Sequence, residues 1–419
     1  MVNRWRIGKI ALLQYFLIYL TIISSRACLY DTYKTFFVYL MFGIGIFLPL
    51  KIPKLRDTKI YITIVLLFLS LTITRFLNNG GLWINYIIMI SSVILCAYYS
   101  FKIEEKNFLE RYLRVVFFFS IVSLLCTIIL LILPSLRNVF PGIETGYFGG
   151  TRGVLFYSFQ YKSWERGFYR NNGIFTEPGI FQIPLSVAIY FILFNGDSLK
   201  LPNKKKIYYL TVFLLTLLST QSTTGYISLI LILVGFLSTK KDFMKKRIWK
   251  VMVVFIIFLI GDYLIFGESS FIYQNLIAKV MDLSTGQLDL NISTGKYRMN
   301  GISAGFNIFL SSPFFGCGDN YHALLNSYLI DTTSSGGGIV YFLASCGLVG
   351  TLILCNIIIR RAYINKKNLI GFITYFLLWI NTGMAQAEIV YGCLLLIAFY
   401  NSVDDCEKQQ QIKRKIILK

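Results

Sequence analysis

The chain has 419 residues, 56% of them hydrophobic and only 15% charged, with 41 Lys and Arg against 20 Asp and Glu and a formal net charge of +21; its mean hydropathy is +0.63. A soluble chain of this length would split into domains and carry far more charge, so composition excludes that class and reads as a polytopic membrane protein. The cation excess, which in a soluble chain would suggest nucleic acid, is here the Lys and Arg bias of cytoplasmic loops, and no segment resembles a nucleic-acid-binding module.

Apolar runs of about 15 to 22 residues, the length that crosses a ~30 Å hydrocarbon core, predict twelve helical spans. They lie near 10–24, 35–50, 60–74, 82–99, 113–133, 179–194, 207–220, 224–238, 248–266, 336–359, 368–381 and 387–401. MVNRWRIGK ahead of the first run has the look of a signal-peptide n-region, but SSRAC is a poor cleavage site, so the first helix is read as retained. The seventh and eighth spans, joined within STQSTTGYIS, form a tight helical hairpin. One alternating set of loops (1–9, 51–59, 100–114, 195–206, 239–250, 360–367 and the tail after 402) holds 30 of the 41 cations. That bias places both termini in the cytoplasm and two long loops, 134–178 and 267–335, on the outer face. The fold class expected is therefore an all-α membrane protein, one integral membrane domain over 1–419. No internal repeat or soluble domain interrupts it.

Chemistry at the membrane surface is expected from those two loops. The first carries Arg137, Arg152, Arg166 and Arg170 with Glu165 and Glu177, and fixed guanidinium groups suit a phosphate-bearing partner. Arg170 stands seven residues before Glu177, where EPGIFQIPL opens the sixth span; Pro178 suits a first helical turn, whose amino end favours anions. Arg170 is then a phosphate seat, or else an interfacial anchor. In the second loop, residues 298–312 have helical spacing (Met299, Ile302, Phe306, Phe309, Leu310), the mark of a helix lying along the interface. SSPFFGCGDN is a turn, and DNYHALLNSYL starts a short helix behind Asp319 or Asn320. Arg298 in TGKYRMNG is a second candidate cation or a solvated charge. His322, the chain's single histidine, and Glu177 are candidate bases, with Asp319 a further carboxylate; each also has an ordinary surface or helix-start role. Asp262 and Glu388, near outer ends of spans, read as structural or cavity-lining.

The eight cysteines have no metal-ligand spacing. Cys96, Cys126, Cys346, Cys355 and Cys393 fall in apolar runs and act as small hydrophobes. Cys28 and Cys317 fall in outer stretches, where an oxidising compartment would permit a disulfide. Phosphate-loop, dinucleotide, HExxH and GxSxG motifs are missing, and mid-span positions lack the carboxylates of an ion-driven pump. No metal and no cofactor is expected.

Four stretches, in order over about 165–360, together resemble the O-antigen polymerase and ligase superfamily of bacterial envelope glycan assembly. YRNNGIFTEPGIFQIPLSVAIYF resembles its Arg, Gly, Phe, Glu-Pro lead into a span; LLSTQSTTGYISLILILVGF its Ser/Thr-rich hairpin. KYRMNGISAGFNIFLSSPFFGCGDN resembles its Arg, helix and Pro-Phe-x-Gly-x-Gly turn, and NSYLIDTTSSGGGIVYFLASCGLVGTLIL its Asn-Ser-Tyr-Leu segment. The first five spans match by hydropathy alone. Two departures stand out: Thr223 where relatives often carry Arg, and His322 four residues before Asn326, where ligases favour His beside that Asn. The second favours a polymerase.

The resemblance implies a bacterial plasma (inner) membrane protein, multi-pass, that polymerises O-antigen or capsule repeat units on the outer face. The donor would be an undecaprenyl-pyrophosphate-linked oligosaccharide and the acceptor the sugar end of another lipid-linked unit, without metal or nucleotide sugar. Arg170 and Arg298 would stabilise the pyrophosphate leaving group, Glu177 or His322 would act as base, and the spans would form a groove for the polyprenyl tail in the lipid bilayer. A chain-length regulator is a further partner this reading admits. Transfer to lipid A core or protein by a ligase uses the same residues. A lipid-linked oligosaccharide flippase predicts short loops and a cationic central cavity, and a polyprenyl-monophosphate glycosyltransferase an acidic first outer loop, where only Asp31 stands.

Overall fold

A computed structural model describes residues 2–78, 84–143, 150–165, 169–196, 199, 201–239, 261, 264, 267, 294–328 and 338–362. Over these the chain is mostly helical, in the order α1 (Val2–Ile23), α2 (Cys28–Thr32), α3 (Lys34–Lys51), α4 (Thr58–Leu77), α5 (Ile84–Lys102), α6 (Glu105–Ile132), α7 (Tyr161–Glu165), α8 (Pro178–Asn195), α9 (Asn203–Ser219), α10 (Thr223–Thr239), α11 (Thr294–Ser311), α12 (Tyr321–Tyr328) and α13 (Gly338–Ala362). By length and composition α3, α4, α6 and α8 can cross a membrane, and shorter apolar helices lie in α1, α5, α10 and α13. The first eight expected spans fall on α1, α3, α4, α5, α6, α8, α9 and α10, and the 336–359 span on α13. Those expected at 368–381 and 387–401, and most of 248–266, lie outside the described residues, as do Arg166, Asp262, Glu388 and Cys393.

α8 is the packing centre. Its sequence PGIFQIPLSVAIYFILFN is apolar nearly all round, its buried polar pair Gln182 and Ser186 bonding each other at 3.2 Å, and it is 83% buried, against 28 to 33% for the other three long helices; a helix with so little polar surface suits a site wrapped by protein. It packs on α6, α9 and α10. The carbonyl of Pro184, midway along it, accepts from the Tyr112 hydroxyl of α6 at 3.1 Å. Close helix contacts use small residues, as expected where lipid is as apolar as Leu and packing must supply the attraction. A Cβ on Gly45 of α3 would lie 2.7 Å from Leu95 of α5, and one on Gly305 of α11 would lie 2.7 Å from Val340 of α13. Buried Arg111 of α6 pairs with Glu104 at 2.5 Å and donates to Gln14 of α1, while Gln14 donates to the Ser100 carbonyl of α5 at 2.7 Å.

The loop between α6 and α8 is more ordered than an all-helical reading allows. It contains a three-stranded antiparallel sheet, β1 (Gly142–Ile143), β2 (Thr151–Val154) and β3 (Tyr157–Gln160), with Arg152 opposite Phe159 and Gly153 opposite Ser158. The short alternation Tyr157, Phe159 was the available signal for it. Those two rings join Leu130 and Trp164 in a small second core.

α11 is helical as its spacing predicts. Gly301, Ala304, Gly305 and Ile308 are buried, whereas Phe306 and Leu310 are exposed. α11 turns its small residues to α13, and the large apolar ones point away.

The 312–318 turn and α13 are interlocked. α13 breaks at Gly347 (φ 66°, ψ −176°), which separates the groups that a continuous helix would pair. The turn takes them up: Cys317 N–H donates to the Ala344 carbonyl at 2.8 Å, Leu348 N–H to Pro313 at 2.8 Å, and Val349 N–H to Phe314 at 3.1 Å. Irregular backbone among membrane helices is tolerated where protein satisfies it in this way. α4 closes the other side, with the Thr74 hydroxyl donating to the Phe315 carbonyl at 2.5 Å and the Asn78 amide to Gly316 at 3.1 Å.

Candidate functional site

Within residues 169–177, YRNNGIFTE, the stretch 171–176 runs buried between three parts of the bundle, the 24–31 segment, the sheet and the α9–α10 turn, with Tyr169 exposed and Arg170 and Glu177 half-buried at its ends. Asn171 and Asn172 are fully buried, and Ile174, Phe175 and Thr176 nearly so. Burying such a polar stretch is tolerable only if its backbone and amides find partners, and most do; the Asn172 Oδ1 is the exception, buried without a partner among the described residues. Asn171 N–H donates to the Ser219 carbonyl at 2.9 Å, and its side-chain amide reaches Ser123 at 3.1 Å and Ser219 at 2.9 Å. Gly173 turns the chain at φ +59°, against the Phe181 ring. Its carbonyl accepts from Ser158 N–H of β3 at 2.7 Å, and the Ser158 hydroxyl donates to the Phe175 carbonyl. The Ile174 carbonyl accepts from Cys28 N–H at 2.9 Å and the Arg26 carbonyl from Thr176 N–H at 3.2 Å.

Arg170 leads into this segment. Its Nε donates to the Thr220 carbonyl at 3.3 Å and its Nη2 to the Gln221 carbonyl at 3.1 Å. These oxygens sit at the carboxyl end of α9, where a cation is favoured by the helix dipole and by unpaired carbonyls. The guanidinium is therefore oriented by the α9–α10 turn, not by the amino end of α8 that sequence spacing suggested. Gln221 makes that turn at φ +50°.

Glu177 stands immediately before α8, extended at φ −143°, ψ 144°, with Pro178 as first helical residue; its carboxylate makes no capping hydrogen bond to the helix. It faces Arg26 instead, Oε1 lying 4.0 Å from Nη1. Arg26 also meets Asp31, Nε to Oδ2 at 3.4 Å, so one buried guanidinium stands beside two carboxylates. Burial raises the Asp31 pKa above the ordinary carboxylate value, and the Arg26 charge pulls it partly back. Arg26 escaped the sequence reading. It sits in SSRAC at the end of an apolar run, its φ is +66°, and neither its conformation nor a partner 151 positions away leaves a periodic signal.

No protein-family model and no curated protein matches the chain.

The remaining candidates fall in two groups. Arg298 lies in the first turns of α11 and His322 in α12; their side chains, and that of Asp319, lie outside what is described. Arg137 and Arg152 are described and occupied by aromatic rings. Arg137 lies 5.0 Å from the Trp164 centroid and 5.2 Å from Tyr169, and Arg152 lies 3.8 Å from Tyr161. Cys28 and Cys317 are free thiols, so the disulfide considered for them is not formed. Burial pushes Cys28 up to about 12 and Cys317 up to about 11. Among the described residues, no three His, Cys, Asp or Glu side chains gather as a metal site would need.

Proposed function

We propose that this protein polymerises envelope polysaccharide repeat units, moving a glycan from an undecaprenyl-pyrophosphate carrier to the sugar end of another carrier-linked unit at the outer face of the bacterial plasma membrane. The observation that carries the reading is the buried 171–176 segment, which holds half-buried Arg170 and Glu177 at its two ends in a helical bundle rich in membrane-length helices. The ordered resemblance of four stretches to the O-antigen polymerase and ligase superfamily gives that segment its chemistry.

In the reaction, the bond from the donor sugar's anomeric carbon to the pyrophosphate oxygen breaks. An acceptor hydroxyl forms the new glycosidic bond from the opposite side and gives its proton to a base, Glu177 or His322. The leaving pyrophosphate gathers negative charge, and Arg170 and Arg298 are the cations assigned to it. A guanidinium already held by two carbonyls needs little reorganisation as that charge grows, which is how pre-oriented donors lower a barrier. Arg26 lies beside Glu177 and acts in this scheme as the positioning residue for its carboxylate. The wider architecture proposed is twelve spans with both termini cytoplasmic and the 134–178 and 267–335 loops outside.

Deleting the gene in its native host and resolving surface glycan on a gel tests the reading. Single repeat units should replace the ladder. Wild type should restore it, and Arg170→Ala, Arg298→Ala and Glu177→Gln, each checked for membrane expression, should lower polymer yield at least ~100-fold, the scale of losing one charge-stabilising or proton-transfer group. Arg26→Lys should give a partial ladder, and His322→Ala decides between the two bases. Full-length polymer accumulating on its lipid carrier would identify a ligase, and repeat units trapped on the cytoplasmic leaflet a flippase; either would refute the proposal.

A further inference from the structure

At the opposite end of α3 from the Arg26 cluster, the bundle opens a groove. α3 lies against α5, with Gly45 allowing Leu95 close, while α4 leans chiefly on α13 and touches α5 lightly. The gap between α3, α4 and α5 has a volume of about 780 Å³ and is walled by Gly45, Ile64, Val65, Phe68, Ile88 and Leu95, with Arg56 and Thr58 at one end. From Thr58 to Phe68 the groove follows α4 for ten residues, roughly 15 Å at helical rise. That is about half the ~30 Å hydrocarbon thickness, the depth of one leaflet.

The arginine at its mouth is fixed by a local peculiarity of the sequence. Pro49 lies in the last turn of α3, and the residue four positions on is Pro53, which has no N–H to give the Pro49 carbonyl. Arg56 supplies the missing donor, Nε to the Pro49 carbonyl at 3.0 Å. That bond uses Nε and leaves the paired Nη groups without a protein hydrogen bond among the described residues. A second proline effect shapes the floor. Pro49 cannot donate to the Gly45 carbonyl, which accepts from the Tyr99 hydroxyl at 3.0 Å; Tyr99 in turn meets the Tyr61 hydroxyl at 3.0 Å. Within five residues of Arg56 in the chain lie Lys51, Lys54 and Lys59, all exposed. The carboxylate in this stretch, Asp57, is occupied by Lys59 N–H at 3.0 Å and the Tyr98 hydroxyl at 2.9 Å.

We infer that this groove is a binding site for an anionic phospholipid of the bilayer, its acyl chain lying between α3, α4 and α5 and its phosphate taken by the Arg56 guanidinium. The charge balance argues for it: residues 51–59 carry four cations and one already bonded carboxylate, and Arg56 among them lines the end of a largely apolar channel. A guanidinium held at Nε presents its remaining donors as the fork that matches phosphate oxygens. A zwitterionic lipid would bring a further cation to that stretch. The inference does not depend on the proposed reaction, since it concerns other residues at the far end of α3.

The test uses the full-length protein in detergent, titrated with phosphatidylglycerol, phosphatidylcholine or undecaprenyl phosphate and read by native mass spectrometry. Wild type should retain phosphatidylglycerol at least ~10-fold better than phosphatidylcholine. Arg56→Gln should abolish that preference, and Val65→Trp, at an exposed position on the groove wall, should abolish retention while leaving Arg56 and its bond to Pro49 in place. Equal retention of the two phospholipids, or a preference that survives Val65→Trp, would overturn the site. Undecaprenyl phosphate displacing phosphatidylglycerol would give the groove to a polyprenyl chain, and cross-links from Val65→Cys to residues beyond 362 would give it to this chain's own later segments. Either outcome contradicts the inference.

Discussion

Arg26 is buried, left-handed and shared between two carboxylates. A non-glycine residue in that backbone region costs about 1–2 kcal/mol, so surrounding contacts must hold it there; the Thr176 N–H bond to the Arg26 carbonyl and the Cys28 N–H bond to the Ile174 carbonyl do so. The neighbouring Asp31 makes this cluster responsive to pH. Its folded pKa is raised by burial, so the folded state binds this proton more tightly than the unfolded chain does. The stabilisation is complete below the ordinary carboxylate pKa near ~4 and is lost as pH rises through the raised value. The thermal midpoint in detergent should therefore fall across that interval, and Asp31→Asn should flatten the fall. A slope unchanged by the substitution would mean that Asp31 is not its source.

At the scale of elements, the junction of the 312–318 turn with α13 rests on two glycines. Gly347 occupies φ +66°, and a Cβ there would lie 2.3 Å from the Phe314 carbonyl oxygen; one on Gly316 would lie 2.5 Å from the Ser345 carbonyl. Gly347→Ala and Gly316→Ala should each destabilise the protein by about 2–5 kcal/mol, combining backbone strain with overpacking. Gly43→Ala in α3, which meets nothing within 4 Å, should be neutral or slightly stabilising. Thermal unfolding of the three variants checks this, and equal midpoints would show the interlock to be unimportant. The helices themselves were legible because apolar runs of membrane length leave few alternatives, and Pro178 and the Ser/Thr-rich turn marked their ends. The small sheet was not, since each strand is only two to four residues long and the β2–β3 turn, Leu155-Phe156, has none of the Gly, Asn or Asp that usually mark a two-residue hairpin. The helix α11 was legible from its apolar spacing, but that its small residues form the packed side, as is usual in a membrane bundle, shows only in the fold. Of the site, Arg170 and Glu177 were visible as charges flanking a helix start, while Arg26 and the α9–α10 carbonyls that orient Arg170 come together only in the fold.

Across the whole molecule, the cation bias makes a prediction about sidedness. A membrane-impermeant maleimide applied to intact cells should label Val139→Cys, at an exposed position in the 134–178 loop, and should spare Lys54→Cys until the cells are opened. The reverse pattern would invert the proposed topology. Native thiols interfere little, because Cys28, Cys96, Cys317, Cys346 and Cys355 are buried, and site-resolved peptide mapping separates the rest. The broken α13 also bears on how the chain is made. Synthesis delivers residues 312–317 some twenty positions before α13, so the strap that completes the helix is already on hand when α13 reaches the bilayer. Inserted without it, the helix would carry open amides and carbonyls into hydrocarbon, at several kcal/mol for each group. Damage to this junction would then register during biogenesis, as chains that fail to settle in the membrane and are degraded, before any effect on the finished protein could be measured.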